Sequence, residues 1–468
     1  MPKATPGDLM WASNEHSEEG RPASWQSLPT EIWSIIFYFA LPDDWESSAA
    51  LGRRRLQYAE VCRAWRSIAF ATTPLWTSIV IDFTTLRHEL AMADLVERTG
   101  QAPLHMRISG SERSMRDADS WSFLKQICAL SHRWASLRIC VGDLELACRE
   151  LSGEFQLLRS LSVLQDPKDS SFGNPLRFFV NAPDVSRLEI RWASVHMSRH
   201  PQTLPAVCFP STWHLTHLEL DFGACTFIDS RLSPLTVAVA AATACRDTLR
   251  SVSFAWEMEN LKLQREATSM LLVMAAPNLQ KLQLKGRPAK GAGIVSSYGS
   301  LQVPEDLALF KLSTLLDRSD DCPRLRALHL HRVQLDCALD CLRRLNSLVR
   351  LEIVSYLAND VGLSVVRSLI RDPAAPSSMA FLPCLTHLTI CHEEWVKQRF
   401  VRRPFCAAVR SRRVPATFKG RELAVIETCH TYSKDDLFGE RNNTSKNGHG
   451  EPDMTVERID AGLDRELP

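Results

Sequence analysis

The amino-acid sequence predicts an α/β protein in two parts: a short helical module at residues 26–77, then an irregular solenoid of parallel strands and helices at 78–430. Three observations carry this. An apolar triplet with fixed internal spacing recurs nine times, in order, between Trp134 and Ile390. Ahead of it, two stretches place their apolar residues at helical rather than strand spacing. The polar ends, 1–25 and 431–468, hold too few hydrophobes to offset an ordering cost of about 1–2 kcal/mol per residue, so both are expected to be disordered.

The bulk numbers set outer limits. Of 468 residues, 45% are hydrophobic and 23% charged, which is ordinary globular composition. With 55 basic and 54 acidic residues the formal charge is +1, so no global field favours nucleic acid or an anionic membrane. Neither is expected as a partner, and any electrostatic recognition must be local. The 14 cysteines include no C-x-x-C pair, which removes the common zinc and dithiol spacings. Residues 1–20 lack the apolar stretch of a signal peptide, and the longest apolar run, Leu235 to Cys245, is well short of the ~20 residues of a membrane span. A reduced intracellular protein, cytoplasmic or nuclear, is the expectation.

The helical module opens with Leu28-Pro29-Thr30-Glu31-Ile32. Pro29 suits a first helical turn, where a missing N–H costs nothing, and Glu31 favours the positive end of the helix dipole. Ile32, Ile35, Ile36 and Phe39 then share one face. A polar connection, Pro42 to Arg55, leads to a second helix over Leu56 to Ala69 with Val61, Trp65 and Ile68 on one side. Thr73-Pro74-Leu75-Trp76 breaks out of it.

The nine triplets are Trp134-x-x-Leu137-x-Ile139, Leu158-x-x-Leu161-x-Val163, Val185-x-x-Leu188-x-Ile190, Leu215-x-x-Leu218-x-Leu220, Leu249-x-x-Val252-x-Phe254, Leu279-x-x-Leu282-x-Leu284, Leu325-x-x-Leu328-x-Leu330, Leu348-x-x-Leu351-x-Ile353 and Leu385-x-x-Leu388-x-Ile390. Side chains two apart project to the same side of a strand, and the apolar residue three earlier turns in from the preceding loop. Each unit leaves an apolar edge that only a neighbour can cover, so the units must stack. This is the pattern of a leucine-rich-repeat-like solenoid. Start-to-start spacing runs from 23 residues (Leu325 to Leu348) to 46 (Leu279 to Leu325), wider than regular repeats of ~20–29, so loops should bulge near 285–320 and 355–380. A helix is expected over Asn260 to Ala276, stopped by Pro277. Pro277, Pro323 and Pro383 stand just before strands, where proline sets an extended entry.

The N-terminal motifs, L-P-x-E-I at Leu28–Ile32, V-C-R-x-W-R at Val61–Arg66 and P-x-W at Pro74–Trp76, resemble the F-box, in the form found in expanded fungal F-box-like families. The text after them is similar to those proteins too: a strand around Ile79 to Ile81, a helix over Leu86 to Arg98, the segment Ala102 to Ile108, and Ser131-His132-Arg133-Trp134 at the first repeat. The resemblance implies a substrate-recognition subunit of an SCF-type cullin–RING ubiquitin ligase, with the F-box docked on a Skp-type adaptor and through it on a cullin, and the repeats holding a protein substrate. Matched by position, Leu28, Pro29, Glu31, Ile32 and Ile36 belong to the first docking helix, and Val61, Cys62, Trp65 and Arg66 to the later one. The segment Leu41 to Arg55, with Asp43-Asp44-Trp45 and Arg53-Arg54-Arg55, departs from the family pattern. Trp65 and Trp76 are large enough that a core role is the first expectation. The alternative is a repeat scaffold or sensor without a ligase role, whose N-terminal helices only cap the array.

If the strands line a concave wall, the residues flanking the buried pairs face a partner: Arg187, Glu189, Arg191, His217, Glu219, Asp221, Lys281, Lys285, His329, His331, Arg350 and Glu352. Their mixed signs suit a protein epitope better than nucleic acid. His329-x-His331 sets two imidazoles on one strand side, but spacing supplies no third ligand, so no metal and no cofactor is assigned. Cys337 and Cys341 read as buried thiols at helical spacing, and Arg402-Arg403 with Arg410, Arg412 and Arg413 as a solvated helix face or an import signal. No G-x-S-x-G elbow, phosphate-binding glycine loop or H-E-x-x-H is present, and an enzyme is not expected.

Overall fold

Side-chain alternation along each triplet turns the repeat into one continuous sheet. The computed structural model describes residues 28–40, 57–83, 92–110, 125–141, 154–165, 181–192, 212–222, 243–257, 274–287, 312–331, 338–355, 360–392 and 399–430, with a few single positions between them. Its main sheet has 12 strands in chain order: β1 (Ser78–Asp82), β2 (Leu104–Gly110), β3 (Trp134–Val141), β4 (Ser160–Gln165), β5 (Arg187–Trp192), β6 (His217–Asp221), β7 (Ser251–Glu257), β8 (Lys281–Arg287), β9 (Ala327–His331), β10 (Arg350–Ser355), β11 (His387–His392) and β14 (Thr428–His430). Every neighbouring pair is parallel. A small antiparallel hairpin, β12 (Ala416–Phe418) and β13 (Arg421–Leu423), precedes the last strand.

The register is that of the triplets. Leu137, Leu161, Leu188, Leu218, Val252, Leu282, Leu328, Leu351 and Leu388 stand opposite one another from strand to strand and all are buried. The third triplet positions form a second row in which all but the partly buried Ile353 are buried. The first positions, from Trp134 and Leu158 through Leu348 and Leu385, are buried beneath the turns. Backbone bonds repeat with the same period: His217 N–H donates to Ser186 O, Ser251 to Thr216, Lys281 to Arg250 and Arg350 to Arg326. Two further strands, β1 and β2, extend the array before the first triplet. The first of them was legible, because Trp76-x-x-Ile79-x-Ile81 has the same form. The closing strand β14 carries a truncated copy, with Ile426 buried and Cys429 in register with Leu388.

Helices cover the leucine side. We number α1 (Thr30–Phe39), α2 (Arg63–Ala71), α3 (Met92–Thr99), α4 (Leu312–Arg318), α5 (Ala338–Arg344), α6 (Asp360–Leu369), α7 (Pro376–Met379) and α8 (Arg399–Arg413). Leu315, Leu342, Val366, Leu369 and Val409 on these helices join the same apolar cluster as the strand leucines. The expected bulge at 355–380 is therefore corrected: α6 and α7 occupy most of it. Leu271 and Met274 of the expected helix at 260–276 are buried, but most of that segment, with 1–25, 288–311 and 431–468, lies outside the described residues. The strand entries differ as well. Cys322 and Leu382, each just before a proline, have φ of 44° and 47° rather than extended values, and both are fully buried. Burial holds a backbone conformation that neither side chain favours.

Two arginines join elements that sequence leaves apart. Arg133 is buried beneath the first repeats and donates to the carbonyls of Thr99 and Ala102, tying the end of α3 to β3. Arg412 was expected on a solvated helix face or in an import signal. It is instead fully buried, donating from Nε to Leu369 O (2.7 Å), from Nη1 to Leu382 O (2.9 Å) and from Nη2 to Phe381 O. Burial and the neighbouring Arg371 push its pKa down to about 9, still above neutral, so the cation persists.

Replacing Leu218 by Ala should cost about 2–5 kcal/mol in denaturant unfolding, because the stacked neighbours cannot collapse into the gap. Arg412→Ala should cost at least about 2 kcal/mol by removing buried donors from three carbonyls and leaving a cavity, whereas exposed Arg410→Ala should stay within about 0.5 kcal/mol. The Cys322 thiol is buried and pushed up to about 11 by that burial, while Cys384 is exposed. Alkylation of the native chain, mapped by peptide mass, should therefore label Cys384 and spare Cys322.

Candidate functional site

Two surfaces stand out, one on the helical module and one on the side of the sheet that the helices leave uncovered. In the module, Pro29 is the N-cap of α1, one position earlier than expected, and its carbonyl accepts from the Ile32 and Trp33 N–H groups. The single second helix expected over 56–69 is corrected. Residues 57–61 are helical, the chain breaks at Cys62 (φ −159°, ψ 171°), and α2 restarts with the Cys62 Sγ accepting from Trp65 N–H at 3.4 Å. The break puts Val61 and Trp65 in different surroundings. Val61 is 61% exposed, whereas Trp65 turns inward to within 5.0 Å of both the Trp33 and Phe37 rings.

The module has a core of its own. Phe37, Ala69, Leu75 and Trp76 form a cluster separate from that of the sheet, with Trp33, Tyr58, Trp65 and Ile68 packed on it. Phe37 stacks on Tyr58 at 4.9 Å, and Trp76 Nε1 donates to Ala69 O at 2.9 Å. Arg66 Nε donates to Ala59 O at 2.8 Å, strapping α2 to the preceding turn. Of the nine sequence-matched docking positions, Trp65 and Cys62 thus serve the module's own structure, and Arg66, although exposed, is tied to the module's backbone. Leu28, Pro29, Glu31, Ile32, Ile36 and Val61 are on the outside.

That outside is unusually apolar. Ile35 is 51% and Phe39 79% exposed, beside the half-exposed Leu28, Ile32, Ile36 and Tyr38. Helix α1 is apolar on both sides: Trp33 and Phe37 face the core, while the isoleucines and Phe39 face solvent. A helix apolar all round belongs against something on each side. Ile35, Tyr38 and Phe39 were not among the sequence candidates, although the shared face of Ile35 and Phe39 was visible from their spacing.

On the uncovered side of the sheet the candidates fall into rows along the strands. Near the strand starts run Arg187, His217, Arg250, Lys281, Arg326 and Arg350, and the five that are always cationic make no ion pair among the described residues. A recess of about 420 Å³ opens among Arg187, His217, Glu219, Arg250 and Lys281. One step further along the strands, Arg191 is ion-paired with Glu189 and lies 3.7 Å from Glu219, so these charges are matched within the sheet. Asp221 is corrected from outward-facing to buried. Lys285 flanks the row opposite His331. Glu352 lies between His329 Nδ1 and His331 Nε2, at 2.7 Å from each. Burial pushes its carboxyl up, but the two imidazoles outweigh that and hold it well below the usual carboxylate range. Arg250 and Arg326, which sequence analysis missed, sit one residue before the strands, a loop position that the alternation rule does not assign.

His217 reports the field of this row. Burial, then the charges of Arg187, Arg250 and Lys281, lower its pKa from the ordinary 6.5. Because the folded value is depressed, its contribution to stability is fully present above 6.5 and is lost as pH falls through the lowered folded value. Side-chain NMR should show His217 titrating below 6.5, and Lys281→Ala should move the midpoint upward.

Among the described residues, no helix is long and apolar enough to cross a membrane. No curated protein matches the chain. The F-box-like family model matches residues 25–82, which takes in the helical module and extends through β1. The helical module at the start of this chain is an F-box-like domain, a class of adaptor and interaction module.

Proposed function

We propose that the protein is the substrate-recognition subunit of an SCF-type cullin–RING ubiquitin ligase, docking on a Skp-type adaptor through the F-box-like domain and holding a protein substrate on the leucine-rich-repeat-like sheet. The observation that carries this reading is the exposed apolar surface of the domain: among the described residues Leu28, Ile32, Ile35, Ile36, Phe39 and Val61 are exposed and lie outside the domain's buried cluster. A domain that only capped the array would share the array's core and turn its hydrophobes toward it. Here the apolar cluster is separate, and the exposed side chains point elsewhere. Mechanism then reduces to proximity. One end is held by the adaptor, the other raises the effective concentration of a target beside the ligase core, and the chemistry belongs to the assembly.

On the sheet, the cations around the recess, which make no ion pair among the described residues, favour an acidic segment of the substrate, with the rest of the wall supplying shape and polar contacts. Attraction of this kind acts mainly on association rate and on choice of partner, and weakens with salt.

Co-purification with a Skp-type adaptor is the direct test. A Leu28→Ala, Pro29→Ala double variant, or Ile32→Ala with Val61→Ala, should weaken adaptor binding at least about 30-fold, the effect of losing a binding hot spot of about 2 kcal/mol. Arg250→Glu with Lys281→Glu should leave adaptor binding unchanged and deplete the substrates recovered by affinity purification. Adaptor binding that survives both domain variants would move the reading to a repeat scaffold.

A further inference from the structure

Strand register supplies what the spacing of His329 and His331 lacked. Residues two apart on β9 project to one side of the sheet, and Glu352 on β10 is the direct register partner of His329. The result is two imidazoles and a carboxylate whose ligand atoms all lie within 4.8 Å of one another. The environment is sheltered yet reachable: His329 is buried, while His331 and Glu352 are about one-quarter exposed. His329 Nδ1 shares a hydrogen bond with Glu352 Oε2 at 2.7 Å. His331 Nε2 is buried and 2.7 Å from the other carboxylate oxygen, Glu352 Oε1. Both ring nitrogens therefore converge on one carboxylate, which is the convergence of donor atoms that a metal ion needs.

We infer that His329, His331 and Glu352 form a binding site for a divalent transition-metal ion of the zinc class, bridging strands β9 and β10 on the uncovered side of the sheet. Two imidazoles and one carboxylate are a donor set suited to such ions, and three protein ligands leave one tetrahedral position open to solvent. Ligands about 2.0–2.1 Å from a tetrahedral ion are about 3.3 Å apart, so the Glu352 oxygens need to retreat by only about 0.6 Å from each nitrogen. The three ligand atoms already lie within 4.8 Å of one another, so side-chain rotation of Glu352 and the imidazoles is the adjustment that binding requires. Lys285 stands in register opposite His331, which disfavours hard cations held by net charge alone and leaves coordinate bonds to imidazole as the main attraction. With both imidazoles neutral, a bound dication changes the charge of the triad from −1 to +1. The ion would thus extend the cationic row of Lys281, Arg326 and Arg350 and clasp two neighbouring repeats. This inference rests on the triad alone and stands apart from the adaptor-docking reading.

The test is titration of the full-length, chemically reduced chain with Co²⁺, followed by visible absorption, and with Zn²⁺, followed by calorimetry. The expected result is saturable binding at one equivalent with no thiolate-to-cobalt charge-transfer band, together with a Zn²⁺-dependent rise in thermal midpoint. Glu352→Gln and His331→Ala should each weaken binding at least 10-fold and abolish that rise, while His217→Ala, on the same side of the sheet, should behave as the parent. His331 is the more exposed of the two imidazoles, so His331→Ala keeps the test informative if Glu352→Gln fails to fold by circular dichroism. Absence of saturable binding, or binding that His331→Ala leaves intact, overturns the site. A thiolate band overturns it too, by assigning the ion to cysteine.

Discussion

The in-register ladder of aliphatic side chains beneath the parallel sheet is the constraint on which the other features depend. Leu218 covers Leu188 on one side and Val252 on the other, and the same relation runs from Leu137 to Leu388. No repeat completes its own core, so each is stable only as part of the stack. A one-residue slip in any strand would carry its leucines to the opposite side of the sheet and expose them, which fixes the register of all the others. Fixed register is also what aligns the side chains on the uncovered side into rows, so the proposed recognition surface is a by-product of core packing.

The ends of such a stack need separate solutions. At the start, the F-box-like domain brings its own aromatic core, and Arg98 lies 4.7 Å above both the Phe70 and Trp76 rings where that core meets the array. At the finish, α8, a small hairpin and the short β14 close the last edge, with Arg412 in the middle holding three carbonyls. Burying a guanidinium is expensive, and it is tolerated because its donors are met by backbone oxygens. Arg133 does the same at the first repeats. In both places a charge that looks like surface in the sequence is an internal fastener.

The two exposed surfaces differ physically. The F-box-like domain offers hydrophobic side chains, which gain by leaving water and so suit a lasting contact. The sheet offers, around a recess, cations that make no ion pair among the described residues, and that suits selection among partners. The proposed role, a receptor that stays on its adaptor while exchanging targets, needs that division.

Much of this was legible beforehand. Nine triplets gave nine consecutive strands in order, because alternation and burial are local properties that a chain cannot hide. The L-P-x-E-I and V-C-R-x-W-R motifs located the module now matched to the F-box-like family. Other features were not. Nothing local shows that the helix at 57–71 breaks at Cys62, turning Trp65 inward and Val61 outward, since the choice depends on Trp33 and Phe37 in another helix. Likewise Asp221 and Arg412 have the residue types of a surface and are buried by elements distant in the chain. Sequence by itself determined which side chains must leave water and with what period. Which strands become neighbours, and therefore that Glu352 meets His329 and His331 across 23 and 21 residues, was decided only when the repeats stacked, because proximity between strands is a property of packing and not of spacing.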